Sequence, residues 1–109
     1  MDFLVYQRAT RKTAIYPKKA KVIYPALGIA GEAGEVAEKI KKQIRDFKGD
    51  FNSSQFKIEL IKELGDVLWY IANLAYDLNI PLNLIARTNL DKLAKRQKEN
   101  KLHGKGDNR

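Results

Sequence analysis

The chain has 109 residues, no cysteine, one histidine and a formal net charge of +8 at pH 7. This length predicts one domain, residues 1–109, since domains commonly contain about 100 to 150 residues. The lack of cysteine excludes a disulfide framework and thiolate zinc sites, and His103 alone cannot form a multi-histidine site. Any metal is therefore expected to bind carboxylate oxygens, which suit Mg²⁺ and Mn²⁺.

The distribution of apolar and basic residues indicates where the protein is located and which class of partner it binds. No apolar run approaches the roughly 20 residues that span a bilayer, and the opening sequence MDFLVYQRAT lacks the order of a secretory signal. We therefore expect a cytoplasmic protein with no membrane partner. The excess of lysine and arginine is typical of proteins that bind polyanions, a class that includes both nucleic acids and free triphosphates.

The first predicted helix covers residues 2–16. Apolar and small side chains recur there at spacings of three and four residues, and Pro17 is expected to end the helix. A basic connection at residues 18–21 follows. Pro25 is then placed in the first turn of a second helix, where proline is favoured, and this helix is predicted to end at about Arg45.

The third predicted helix follows a turn at residues 48–52 and ends at about Asn79, with Ser53 or Ser54 as its N-cap. Its apolar side chains alternate steps of four and three, which is typical of a helix packed against other helices. They are Leu60, Leu64, Val67, Ile71, Leu74 and Leu78.

A break before Pro81 separates this helix from a fourth one, predicted from Leu82 to about Asn100. Residues 101–109 form a polar tail that is expected either to be flexible or to fold over bound phosphate. No strand pattern competes with the helices. The sequence therefore predicts an all-α fold, a four-helix bundle-like arrangement with long central helices.

Acidic side chains share one face of the predicted second helix. Glu32, Glu35 and Glu38 are spaced by three residues, and Gly28 and Gly31 lie on the same face. Glycine inside a helix is less favourable than alanine by about 1 kcal/mol, so these glycines indicate close approach of another helix or a ligand. Three like charges on one face also repel one another, and a bound cation would remove that repulsion.

A polar stripe runs beside the apolar seam of the third helix. Glu63, Asp66 and Tyr70 fall within about 60° of one another on it. A lone Glu-x-x-Asp is typical of an ordinary solvated flank, but packing against Glu32 and Glu35 would create an oxygen cage for divalent ions. The whole stripe comprises Glu59, Glu63, Asp66, Tyr70, Asn73 and Asp77.

Two sequence blocks carry a family resemblance. Glu32-x-x-Glu35 stands in LGIAGEAGEVAEKIKK, and after a spacer of 27 residues Glu63-x-x-Asp66 stands in ELGDVLWY. These blocks resemble the motifs of the MazG-like all-α nucleoside triphosphate pyrophosphohydrolases, and the resemblance extends to residues 89–96 and to the Gly-rich tail. It implies Mg²⁺, with Mn²⁺ as a substitute, held by all four acids. It also implies cleavage of a nucleoside triphosphate into a monophosphate and pyrophosphate by a homodimer or homotetramer.

The resemblance implies catalytic roles for two glutamates. Glu35 or Glu38 would accept the proton of the attacking water, and the sequence does not choose between them. Many family members carry a further Glu where this chain has Gly31, so that metal contact or base is expected either to be missing or to be supplied by Glu38.

Substrate contacts are expected on three predicted helices. Lys39 and Lys42 share the acidic face and would bind phosphate or form ion pairs with neighbouring glutamates. Tyr70 and Asn73 would contact the sugar or base, and core packing is the alternative for Tyr70. Asn89, Lys92 and Arg96 share one face, for which the resemblance implies phosphate or sugar contacts; a solvated basic face is the alternative.

Two other classes of function remain open at this point. A helical nucleic-acid-binding module without catalysis would explain the basic charge, but four acids would repel a nucleic acid backbone, so nucleic acid is not the expected partner. A purely structural bundle would leave the glutamate face unexplained. Trp69 lies off the polar stripe and is expected to pack or to contact another subunit. Lys105 and Arg109 are the tail residues that would reach phosphate.

Overall fold

The structure is a computed structural model that describes residues 1–107, and no strand occurs among them. The predicted all-α fold class is confirmed. Short 3-10 turns at Arg11–Thr13 and Lys18–Ala20 connect the first two helices. The four helices are α1 (Phe3–Thr10), α2 (Ile23–Phe47), α3 (Ser54–Asp77) and α4 (Leu82–Lys98).

Local sequence signals account for the ends of the longer helices. Pro25 is the third residue of α2 and is fully buried in its first turn. The N-cap of α3 is Ser53, whose hydroxyl accepts a hydrogen bond from the N–H of Phe56 at 3.3 Å. The C-cap of α2, Lys48, is left-handed with φ 57°, which ends the helix before a turn.

The prediction for the first helix was wrong beyond Thr10. The Thr10 hydroxyl donates to the carbonyl of Gln7 at 2.7 Å, and the Thr13 hydroxyl donates to the carbonyl of Thr10 at 3.1 Å. Such side-chain bonds to the backbone favour turns over continued helix. The chain accordingly tightens into a 3-10 turn, and Tyr16, which precedes a proline, is disfavoured in helical conformation.

A buried polar network fixes the start of α2 against the end of α3. The Asp77 carboxylate accepts hydrogen bonds from the Tyr16 hydroxyl at 2.7 Å and the N–H of Val22 at 3.0 Å. Arg11 lies 3.6 Å from the same carboxylate. Val22 has φ 70° and ψ −55°, a γ-turn conformation that is rare and strained for a β-branched residue. Asp77 therefore holds the turn from which α2 begins.

The largest helix contact joins α2 and α3, while α4 packs against α1 and α3. The chain is open rather than compact: its radius of gyration is 16.8 Å, against about 13 Å for a typical domain of this size. Its accessible surface is 8345 Å², whereas a compact monomer of 12.5 kDa exposes roughly 6,200 Å². The apolar seam of α3 accordingly stays half-open, with Leu64 and Leu78 exposed.

No helix among residues 1–107 has the length and apolar content needed to cross a membrane.

Candidate metal centre

Three acids from α2 and α3 form one carboxylate cluster. Glu32, Glu63 and Asp66 each offer an oxygen, and these oxygens all lie within 4.8 Å of one another. The three-residue spacing of Glu63 and Asp66 puts both on the face of α3 that meets α2. Glu32 and Glu63 are half-buried and Asp66 is exposed, so the cluster is open to an incoming ligand.

The cluster concentrates negative charge. Partial desolvation raises the pKa of Glu32, and the charges of Asp66, Glu63 and Glu35 raise it further. Such repulsion disfavours the fully ionised cluster unless a cation is bound. The donor set consists of carboxylate oxygens alone, which is what hard cations such as Mg²⁺ and Mn²⁺ prefer. The residues therefore fit a divalent metal.

The two remaining glutamates of α2 lie in different electrostatic surroundings. Among residues 1–107, the group of carboxylate oxygens within 4.8 Å of one another does not include Glu35. The charge of Glu35 nevertheless contributes to the raised pKa of Glu32. Glu38 is exposed and accepts a hydrogen bond from Lys41 at 2.8 Å, which lowers the pKa of Glu38. Lys42 adds a second positive charge near Glu38. Glu35 is thus associated with the cluster, whereas Glu38 is engaged by lysines.

Tyr70 lies beside the cluster, against α2. A β-carbon built on Gly28 would clash with the ring of Tyr70, so the predicted close approach at this glycine is confirmed. Burial raises the pKa of Tyr70, with smaller contributions from Tyr24 and from the charges of Glu32 and Asp66. The hydroxyl of Tyr70 therefore lies within electrostatic reach of the acids.

Gly31 differs from Gly28. Apart from its two chain neighbours and the nearby backbone of α2 itself, no heavy atom of residues 1–107 lies within 4 Å of a β-carbon built on Gly31. The space beside Gly31 is open in the single chain.

Asn73 belongs to the interior rather than to the cluster. It has no exposed surface, its amide donates to the carbonyl of Trp69 at 2.9 Å, and its oxygen accepts from Arg11 Nη1 at 2.8 Å. The Trp69 indole donates to the Thr13 hydroxyl at 2.9 Å and meets the ring of Tyr16 edge-on. Both side chains are thus engaged in contacts within the chain. Packing or a subunit contact was expected for Trp69, whereas Asn73, predicted to contact the sugar or base, has no surface open to a ligand.

Neither of the predicted phosphate-binding lysines of α2, Lys39 and Lys42, forms an ion pair with an acid of the cluster in residues 1–107. Lys39 Nζ is 3.8 Å from a carboxylate oxygen of Glu59 on α3. Lys42 is exposed on the same helix. Lys39 therefore joins α2 to α3 by an ion pair, and Lys42 remains accessible to a ligand.

Two of the three predicted substrate residues of α4 contact the C-terminal segment. Asn89 and Lys92 line an open cavity of about 380 Å³. Arg96 is buried, and Lys92 and Arg96 both contact Asp107. The structure thus places these cations against the C-terminal segment. Lys105 is exposed, and Arg109 lies outside the described residues.

The N-terminal helix α1, which was not predicted to be part of the site, lies near the cluster through Tyr6. Burial raises the pKa of Tyr6, and the charge of Asp66 raises it further, so Tyr6 lies near the cluster. Tyr6, Phe3 and Leu68 line an open, mainly apolar cavity of about 400 Å³. In the sequence, the only signal at Tyr6 is its helical spacing. That spacing does not show that Tyr6 lies near Asp66, which is 60 residues further along the chain.

Comparison with known proteins agrees with this geometry. The family model of the MazG nucleotide pyrophosphohydrolase domain matches residues 25–100, which include every acid of the cluster. The chain is also similar to the Gene 37 protein of Mycobacterium phage L5, with 40% identity over 111 residues and 96% of each chain covered. Among solved structures, none matches the chain. The chain therefore belongs to the MazG nucleotide pyrophosphohydrolase family.

Proposed function

We propose that this protein hydrolyses nucleoside triphosphates, ribo or deoxy, to a nucleoside monophosphate and pyrophosphate, with Mg²⁺ as cofactor and Mn²⁺ as a substitute. The observation that carries the proposal is the cluster of Glu32, Glu63 and Asp66, whose oxygens lie within 4.8 Å of one another inside the matched domain. A cluster of this charge needs cations, and Mg²⁺ in proteins is commonly shared between carboxylates and substrate phosphates.

Glu32, Glu63 and Asp66 would hold the metal, and Glu35 is the proposed fourth ligand because its charge already acts on Glu32. Bound Mg²⁺ supplies positive charge that neutralises the phosphate oxygens during cleavage. The exposed position of Asp66 leaves room for a polyphosphate at the edge of the cluster.

Glu35 is the better placed of the two candidate bases. A water molecule would lose its proton to Glu35 and attack the α-phosphorus, and the bond from that phosphorus to the bridging oxygen would break to release pyrophosphate. Glu38 is the weaker candidate because its hydrogen bond with Lys41 lowers its pKa and occupies its carboxylate. Its proposed role is secondary.

The substrate contacts follow from exposure and charge. Lys42 on α2 and Lys92 on α4 would bind phosphate oxygens, and Lys39 would do so if it released Glu59. Tyr70, beside the acids, and the apolar cavity next to Tyr6 offer surface for the nucleoside. Asn89 lines the cavity of α4 and would add a polar contact, whereas Asn73 has no exposed surface to offer.

A homodimer or homotetramer is the proposed assembly. The chain exposes about 2,000 Å² more surface than a compact monomer of its mass, which is comparable to what one subunit contributes to an obligate interface. Large apolar side chains on α2 and α3 account for part of it: Leu27 is 68% exposed and Ile61 is 67% exposed. A second copy of this chain, with the same exposed rows, can cover them.

We further place the reaction in the cytoplasm, where hydrolysis would remove unwanted members of the nucleotide pool. The test is a panel of ribo- and deoxynucleoside triphosphates with Mg²⁺ in which pyrophosphate and orthophosphate are measured separately. Release of pyrophosphate from at least one nucleotide is expected. Release of orthophosphate with a nucleoside diphosphate would instead favour another kind of nucleotidase. No turnover together with salt-dependent binding to DNA or RNA would favour the nucleic-acid-binding alternative.

A further inference from the structure

The C-terminal segment folds back onto α4 through one carboxylate. Asp107 Oδ1 accepts hydrogen bonds from Lys92 Nζ at 2.9 Å and from Arg96 Nη2 at 3.2 Å. Arg96 Nη2 also donates to the carbonyl of Gly106 at 3.3 Å. A single carboxylate oxygen thus bridges two cationic side chains one turn apart on the helix.

The three partners differ in exposure. The Arg96 side chain is 5% exposed, that of Lys92 is 35% exposed, and that of Asp107 is 80% exposed. A guanidinium this deeply buried requires an anionic partner, because an unpaired buried charge is strongly unfavourable. Asp107 satisfies that requirement from the outside, in a segment whose residues 101–107 are all exposed, and exposed segments with few buried contacts open most readily.

We propose that Lys92 and Arg96 form a phosphate-binding site and that Asp107 is its internal occupant, which an incoming phosphate or pyrophosphate group displaces. The class of ligand rests on the proposed function. A phosphate group carries more charge and more acceptor oxygens than a carboxylate, so it can accept from the ammonium and from the guanidinium fork at once. The open cavity that Lys92 and Asn89 line gives such a ligand a route to the site without moving α4.

The arrangement makes the tail a competitor of the substrate. While Asp107 occupies the site, Arg96 has too little exposed surface to contact a ligand. Release of the Asp107 carboxylate frees the Lys92 ammonium and the Arg96 Nη2 together, since both donate to the same oxygen. Removing the carboxylate should therefore strengthen the binding of phosphate groups.

The experiment measures inorganic pyrophosphate binding by calorimetry at low salt, with chelator present so that the acidic cluster holds no metal. Asp107→Asn is compared with Asp91→Asn, an exposed acid on α4 whose loss changes the net charge equally. Asp107→Asn should bind pyrophosphate roughly three- to tenfold more tightly than Asp91→Asn, and adding Lys92→Met should abolish the gain. Asp107→Glu should retain the affinity of the parent protein.

Equal or weaker binding by Asp107→Asn would overturn the proposal, since it would show that Asp107 supports the site or is irrelevant to it. If Asp107→Asn is less stable because Arg96 loses its partner, binding to Asp107→Glu and to the parent is compared with free acetate as a competitor. Acetate should weaken pyrophosphate binding in both proteins, and no effect of acetate would equally overturn the proposal. Neither measurement uses turnover, so a protein that hydrolyses no nucleotide can still confirm or refute the internal occupant.

Discussion

The ring of Tyr70 in α3 lies in the space that a β-carbon on Gly28 of α2 would occupy. This contact lets the two helices approach closely beside Glu32 and Asp66, whose charges act on the Tyr70 hydroxyl. The glycine and the carboxylate cluster are thus parts of one helix interface, and a change at Gly28 is expected to affect both stability and metal binding.

Gly28→Ala should destabilise the protein by about 1 to 3 kcal/mol, because the added methyl group overlaps the Tyr70 ring and forces the helices apart. In a Tyr70→Ala background the same change should be neutral or stabilising, since alanine favours helix over glycine by about 1 kcal/mol. Denaturant unfolding of the parent, the two single variants and the double variant gives the coupling free energy between positions 28 and 70. Additive effects would show that the ring does not restrict this position.

Glu63→Gln should abolish the response to Mg²⁺. In the parent, Mg²⁺ should raise the unfolding temperature, because it binds the folded cluster and relieves the repulsion that raises the pKa of Glu32. The variant has one negative charge fewer in the cluster, so its unfolding temperature in the presence of chelator should equal or exceed that of the parent. Mg²⁺ should no longer raise the unfolding temperature of the variant. Turnover should fall by roughly 100-fold or more.

Asp91→Asn is the matched control for this variant, because it removes one exposed charge outside the cluster. It should keep both the Mg²⁺ response and the turnover of the parent. A full Mg²⁺ response in Glu63→Gln would mean that the metal is held elsewhere.

Ile61→Glu should shift the protein toward a single chain of 12.5 kDa, because a charge in a buried subunit contact is unfavourable. Light scattering coupled to size-exclusion chromatography measures the mass. Gln55→Glu, at an exposed position of the same helix, introduces the same charge and should leave the assembly intact. A parent protein that already elutes as one chain would contradict the proposed assembly.

Tyr16→Phe should remove part of the alkaline loss of stability. Burial and the hydrogen bond to Asp77 raise the pKa of Tyr16 above its ordinary value of about 10. The stability that depends on this proton is fully present below the unfolded value and is lost as pH rises through the higher folded value. Between pH 9 and 12 the free energy of unfolding should therefore fall more steeply in the parent than in the variant. Parallel profiles would show that Tyr16 titrates normally.

Local patterns were sufficient to predict the long helices and much of the cluster. Helical periodicity fixes which side chains share a face, so Glu63 and Asp66 could be paired before their partner was known. The glycine at position 28 signalled a close contact, and the structure identifies that contact as Tyr70. The end of α1 was missed because threonine hydroxyls bond the backbone there, which periodicity does not reveal.

Features that depend on distant contacts could not be read from the sequence. Asn73 and Asp77 continue the polar stripe of α3 but are buried and hydrogen-bonded to the N-terminal segment. Leu64, which belongs to the apolar seam, is exposed. The pairing of Asp107 with Arg96 likewise joins residues that share no helix. In each case the outcome depends on which segment packs against the helix, and spacing along one helix carries no information on its partner.

The most direct test of the central claim is the position of oxygen-18 after hydrolysis of a nucleoside triphosphate in labelled water with Mg²⁺, measured by phosphorus NMR. Attack of water on the α-phosphorus predicts that the label appears in the nucleoside monophosphate and that pyrophosphate is unlabelled. Label in pyrophosphate or in orthophosphate would contradict the proposed reaction at the Glu32, Glu63 and Asp66 cluster.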